Sequence, residues 1–231
     1  ISKGLVGSEM CIRDRFRNGA VFCYIASVGH WHDVGGNVPG NYNPEATESF
    51  QEGMLIPPVK LFTEGKLNQD IVNILSANSR LPNSLYGDLN GQINALDLGE
   101  ERLHSLLDEY TEEKITSALK ELRERAEKMM RQHIGALPNE TISVEDYLDN
   151  DGVTDDPLTL AIDLTIKDDK MTIDFSRSSH ACAGPVNISK STTIAATYVA
   201  LKHIFTDVPA NAGVLKPVEF IIPEDSFLNV R

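Results

Sequence analysis

The residues best suited to chemistry in this 231-residue chain sit together in GHWHDVGG, residues 29–36. His30, His32 and Asp33 are three potential metal ligands within four positions, directly after an apolar run. Loops that follow strands are where functional groups concentrate, because a rigid element positions them and the loop exposes them. In an extended chain alternate side chains share a face, so His30 and His32 point the same way. Asp33 can ligate directly or orient a histidine as its acceptor. Nitrogen and carboxylate donors without thiolates suit a divalent ion such as Mn, Fe or Zn. The glycines allow the backbone to turn tightly around such a site. Residue types alone leave the plainer alternative open, a polar glycine-rich loop with surface histidines.

Other strings carry less. The turn-like DNDG, residues 149–152, lacks the carboxylates that an EF-hand needs at its first and last positions. GPVNISKS, residues 184–191, falls short of a phosphate-binding loop. Ser189 stands where the second glycine belongs and Pro185 removes an amide, so no nucleotide-binding residues are expected. His180 and Cys182 flank a small-residue loop and form a minor candidate for a nucleophile pair. His104 and His133 lie in charged helical segments and read as solvated, and His203 reads as partly buried in an apolar helix.

The elements that must hold these groups follow from hydrophobic period. Residues 19–28 (GAVFCYIASV) read as a buried strand, followed by a Gly/Pro/Asn-rich loop over 29–44. A helical turn fits residues 45–53. Ile56-Pro57-Pro58 forces an extended chain. A short strand is expected at 59–62 and a helix over 68–78. From about residue 89 to 133 the pattern is strongly helical, with a restart at Thr111 and an acidic first turn. Two helices in an antiparallel hairpin and one kinked helix both fit. Alternation over 158–166 and 171–175 around a turn gives a β-hairpin, then a helix over 189–205, a turn at 211–216 and a strand at 218–222. The expected class is α+β, a mixed sheet with a helical hairpin and a β-hairpin.

Composition narrows the partners. Lys plus Arg number 21 against 34 Asp plus Glu, a net charge of −13. That sign disfavours nucleic acid and anionic membrane surfaces. No stretch approaches the roughly 18 apolar residues of a spanning helix. Cys11, Cys23 and Cys182 form no CxxC pair, which suits a reduced, cytoplasmic chain. Residues 1–15 (ISKGLVGSEMCIRDR) show neither helical nor strand period and resemble a non-native, adapter-derived tail, so the folded domain is expected over 16–231.

Five strings, in order, resemble the hydantoinase B/oxoprolinase family. They are GHWHDVGG with Pro39-Gly40; Gln51-Glu52-Gly53 with Ile56-Pro57-Pro58-Val59-Lys60-Leu61; Asn78-Ser79-Arg80-Leu81-Pro82 with Gly87-Asp88-Leu89-Asn90-Gly91-Gln92; Asp174-Phe175-Ser176 with Gly184-Pro185-Val186-Asn187; and Asn211-Ala212-Gly213 with Pro217. Departures include Gly91 where Ala is usual, Arg177 where Gly often follows DFS, and Asn41 where Ser follows PG. Members are usually much longer, so the chain resembles a central fragment of a larger hydantoinase B-type fold.

The resemblance implies an ATP-dependent amidohydrolase that opens a cyclic amide such as a hydantoin, an N-methylhydantoin or 5-oxoproline. It implies a hetero-oligomer in which a separate A-type subunit or domain binds the ATP. It also implies that His30 and Asp33 bind a divalent metal, that His32 is a ligand or general base, and that Arg80 and Asp88 join it in catalysis, with Arg80 as anion clamp. Asn78, Asn90 and Gln92 would hold the substrate imide. Two other readings share these motifs: a ketone (acetone) carboxylase α-type subunit, and a non-catalytic assembly subunit whose loop is structural.

Overall fold

The computed structural model describes residues 9–17 and 19–230. The chain divides between Glu109 and Tyr110 into two compact units.

The first unit opens with strand β1 (Glu9–Arg17) paired antiparallel with β2 (Ala20–Gly29), Cys11 opposite Ser27 and Arg13 opposite Ile25, with a bulge between Arg15 and Phe16. Helix α1 (Ser49–Glu52) is one turn, and β3 (Phe62–Thr63) and β4 (Lys66–Leu67) form a minimal hairpin. Helix α2 (Gln69–Ala77) starts where Asn68 Oδ1 accepts the amides of Asp70 and Ile71, at 3.1 and 3.4 Å. Such a cap fills donors that the first helical turn cannot satisfy internally. Helix α3 (Pro82–Glu109) opens on a proline, whose missing N–H costs nothing there. Its buried positions Leu85, Leu89, Gln92 and Leu96 recur every three or four residues and give one inward stripe.

The β1–β2 hairpin has inverted polarity. The face toward α3 carries Cys11, Arg13 and Arg15, and the other face carries Ile12, Phe16, Tyr24 and Val28, each about half exposed or more. Arg13 donates to Asp97 and, at 2.9 Å, to Glu100, which also pairs with Arg15. Residues 1–8 of the expected tail lie outside the described residues. Residues 9–15 do not behave as a tail, because they form most of β1. Their strand period was hidden because arginines, answered by acids on α3, occupy the inward positions.

The second unit holds α4 (Glu112–Gly135), capped by Thr111, whose Oγ1 accepts the Lys114 amide at 3.3 Å. The helical pattern therefore breaks at Thr111 as expected, and the two helices fall in different units. A four-stranded sheet follows, β5 (Thr141–Leu148), β6 (Leu158–Lys167), β7 (Lys170–Asp174) and β8 (Val218–Ile221), in that spatial order. The first three strands are antiparallel and β8 is parallel to β7. A parallel pair needs a long crossover, and this one contains α5 (Lys190–Ile204) and a short 3-10 helix (Ala212–Leu215). Met130 and Ile134 of α4, Ile166, Met171 and Ile173 of the sheet, Leu201 of α5 and Val214 form the core. The class is the α+β expected, with β5 as a strand that the sequence pattern did not reveal. No helix among the described residues is long and apolar enough to cross a membrane.

Candidate functional site

Chain direction at the end of β2 decides what the HWHD stretch presents. Trp31 is 7% exposed, packed with Val72, Leu75, Leu85 and Leu89. Its indole Nε1 donates to Gln92 Oε1 at 3.1 Å. With Trp31 turned inward, His30 and His32 are both exposed, as their alternation predicts. His30 has no hydrogen-bond partner among the described residues. His32 Nδ1 lies 2.9 Å from Ser84 Oγ, in the first turn of α3.

Asp33 is 2% exposed, and its carboxylate is fully engaged. Oδ1 accepts the amides of Arg80 (2.9 Å) and Gly35 (3.1 Å). Oδ2 accepts the Gly40 amide (3.3 Å) and the Arg80 guanidinium (2.9 Å). A carboxylate offers about four lone-pair directions, so all are taken. Burial alone would raise the Asp33 pKa, but the Arg80 amide and guanidinium and the Gly35 and Gly40 amides outweigh it. The carboxyl is held well below the usual carboxylate range.

Arg80 faces the loop rather than an open anion site. Its Nη1 also donates to Gly35 O (3.0 Å) and Val38 O (3.3 Å), and its Nη2 donates to Gly36 O (2.6 Å). Ser79 Oγ donates to Asp33 O at 2.7 Å. Asp33 and Arg80 thus clamp the glycine loop to the segment that leads into α3. The glycines are required by close approach. A Cβ on Gly36, whose φ is +80°, would stand 2.6 Å from Gln51 O, and one on Gly35, at φ +89°, 2.9 Å from Asn78 O. Residues 34–37 run beside 51–54, bonded Asn37 N to Gln51 O and Met54 N to Val34 O, both 2.9 Å.

The remaining expected residues divide in two. Asn78 closes α2, its Nδ2 donating to Ile74 O at 2.8 Å. Gln92 is buried, accepts from Trp31 and Cys11, and donates to Ser27 O at 3.4 Å, so it braces the hairpin. Asn90 Nδ2 donates to Tyr86 O at 2.8 Å. Asp88 is half-buried on α3, midway at helical spacing between Ser84, which meets His32, and Gln92, which meets Trp31. Ser84, Asp88 and Gln92 therefore line up on the helix face that meets the HWHD stretch.

Among the described residues no three His, Cys, Asp or Glu side chains gather where they could hold a metal. His30 and His32, exposed on one side of a fixed backbone, fit a share of such a shell. Asp33 as placed does not, because a cation would have to displace one of its four donors. Sequence reasoning did not single out Ser84, whose signal is only its place in the first turn after the Arg80 block.

In the second unit another buried aspartate does comparable work. Asp151, 1% exposed, accepts at Oδ1 the amides of Thr154 (2.6 Å) and Val153 (2.8 Å), and at Oδ2 those of Gly184 (2.9 Å) and Ala183 (3.0 Å). The Thr154 and Val153 amides lead in holding its pKa far below the usual value. Asn187 Nδ2 donates to Cys182 O and Gly184 O, so residues 182–187 form a closed loop ahead of α5. The DNDG turn and the GPVN string thus meet as one structural unit.

The sequence profile described as hydantoinase B/oxoprolinase matches residues 10–231. The chain belongs to the hydantoinase B/oxoprolinase family. It is 32% identical over 217 residues to an uncharacterized protein of Methanocaldococcus jannaschii, covering 94% of this chain and 38% of that one. It is 31% identical over 205 residues to the beta subunit of caprolactamase from Pseudomonas jessenii, covering 88% and 35%. The crystal structure of the ATP-dependent caprolactamase of that organism matches with a TM-score of 0.88 at 28% identity, over 97% of this chain and 39% of that chain. Nucleotide-free acetone carboxylase also gives 0.88, at 18% identity over 97% and 31%, a likeness of fold. The chain spans little more than a third of the length of these curated relatives.

Proposed function

We propose that this member of the hydantoinase B/oxoprolinase family supplies part of the B-type half of an ATP-dependent cyclic amide hydrolase. The A-type partner binds the ATP, in a cytoplasmic hetero-oligomer. The observation that carries the reading is the HWHD stretch, two exposed imidazoles on a backbone fixed by buried Trp31 and Asp33. The relatives' names support the substrate class, since caprolactamase, D-/L-hydantoinase and 5-oxoprolinase all denote enzymes of cyclic amides. Hydantoins, N-methylhydantoins and 5-oxoproline are the candidates, and the caprolactamase relatives extend the range to larger lactams.

An unstrained lactam has a poor leaving group. Transfer of phosphate from ATP to its carbonyl oxygen makes the carbonyl carbon electrophilic. Water then adds there, the ring C–N bond breaks as the nitrogen takes a proton, and a second water hydrolyses the acyl phosphate left behind to carboxylate and free phosphate. In this chain His30 and His32 would hold a divalent ion, or His32 takes the proton of the attacking water at Nε2. A divalent ion bound there would polarise the carbonyl and ease ionisation of water. Asp88, on the α3 face that meets the HWHD stretch, is the α3 group left to meet substrate, whereas Asn90, two residues further on and bonded to Tyr86 O, lies on the other side of the helix. Asp33 and Arg80 serve by fixing the loop.

The test uses the full-length protein with and without its A-type partner, measuring ring opening of 5-oxoproline, hydantoin and caprolactam together with phosphate release. The expected result is activity only with partner and ATP, lost in His30→Ala. Ring opening by the protein alone, or tight ATP binding by it, would refute the division of labour. The fold shared with acetone carboxylase makes acetone with bicarbonate and ATP the one further substrate pair to run; carboxylation in place of ring opening would favour that second reading.

A further inference from the structure

We propose that Ser84 is the positioning residue of His32, holding the ring by Nδ1 so that Nε2 is the nitrogen through which His32 acts. This rests on reading His30 and His32 as site residues. The backbone at His32 has little freedom, because its neighbours Trp31 and Asp33 are 7% and 2% exposed and each is hydrogen-bonded. What remains free is the side chain, about χ1 and χ2. The one hydrogen-bond partner of the ring among the described residues is Ser84 Oγ, 2.9 Å from Nδ1.

Ser84 is itself well placed to act as a fixed post. Four residues earlier Arg80 is tied to Asp33 through its amide and guanidinium, and one residue later Leu85 is 1% exposed among the residues that enclose Trp31. The same clamp therefore sets both ends of the His32–Ser84 bond. Both partners can donate or accept. A cation or a proton taken at Nε2 uses the lone pair there and leaves the hydrogen on Nδ1, so Ser84 then accepts. Outer partners of this kind fix the ring and tautomer of metal-binding histidines, and losing one typically weakens the metal 10–100-fold.

The experiment is histidine-selective 15N NMR on the 231-residue chain, wild type beside Ser84→Ala and Ser84→Thr, first without metal and then with Zn2+ as probe. Two-bond couplings in the metal-free spectra should show one dominant His32 tautomer in wild type and Ser84→Thr, and a mixture in Ser84→Ala. Zn2+ should shift Nε2 of His32 while Nδ1 keeps its hydrogen, with affinity about 10-fold weaker in Ser84→Ala and within about 3-fold of wild type in Ser84→Thr. A tautomer mixture unchanged by Ser84→Ala, or coordination through Nδ1, overturns the assignment. If Zn2+ leaves both histidines unmoved while the tautomer preference still depends on Ser84, the metal reading fails and the positioning role stands.

Discussion

Replacing Arg80 with alanine tests the clamp most directly. The change deletes four side-chain hydrogen bonds, to Asp33, Gly35, Gly36 and Val38, and keeps the Arg80 amide on Asp33 Oδ1. Asp33 Oδ2 is left with the Gly40 amide at 3.3 Å, in a site where the residue is 2% exposed. Removing one partner of a fully buried pair costs about 3–5 kcal/mol, and one hydrogen bond to a charged group about 1.5–3 kcal/mol. The Arg80 side chain is 40% exposed, so water can enter behind it and the cost sits toward the lower range. We expect Arg80→Ala to remove about 2–3 kcal/mol from the first unit at neutral pH. Arg80→Lys should recover about half, since one ammonium cannot span both Asp33 Oδ2 and Gly36 O. Trp31 is the single tryptophan of the chain and lies in the same unit, so urea unfolding read by its fluorescence reports on this region. Asp33→Asn and the double variant complete a cycle, whose coupling should exceed about 1 kcal/mol. A loss under about 0.5 kcal/mol for Arg80→Ala, or an additive cycle, would show that the clamp does not hold the loop.

Gly184→Ala should disrupt the second unit severely, because the new Cβ would fall 1.8 Å from Asp151 O; loss of near-native far-UV CD or a large drop in Tm is the readout, and a Tm within a few degrees of wild type would contradict the packing. Asp33 and Asp151 have folded pKa values below their unfolded value of about 3.9. Their contribution is complete above that pH and is lost as pH falls through the folded values. Stability from these groups should therefore be flat between about pH 5 and 8 and decline below about pH 4, with a shallower acid slope in Asp151→Asn, as urea midpoints against pH would show. Charge reversal at Lys120 or Glu124, an exposed i, i+4 pair on α4, should change stability by less than about 0.5 kcal/mol and leave Zn2+ affinity unaltered.

What could be read in the sequence was whatever local period and capping determine. The α2 and α4 starts at Asn68 and Thr111, the β6–β7 hairpin and the run that became β2 all follow from such patterns, although β2, expected to be buried, has only exposed and half-buried positions. β5 escaped because Ile142 and Val144 alternate for only two turns of the pleat before Asp146 takes the same side. β1 escaped because its inward positions are arginines, which make sense only beside Asp97 and Glu100, more than 80 residues away. The site was legible as a place and less so as a set of roles. HWHD was found by residue type, and the alternation of His30 and His32 holds. The surroundings of Asp33 depend on amides at positions 35, 40 and 80, and backbone groups have no signature in a side-chain pattern. For the same reason Arg80 looked like a ligand for an outside anion, when its donors serve three carbonyls and one carboxylate of its own chain.

The inverted hairpin also bears on how this protein behaves in concentrated solution. A ribbon that hides its arginines and displays Ile12, Phe16, Tyr24 and Val28 offers an adhesive surface beside backbone edges that no other strand pairs among the described residues. Anyone preparing the chain in quantity should expect self-association to begin there. The remedy lies on the outward positions, where Ile12→Lys or Tyr24→Lys would add solubility without touching a single buried ion pair.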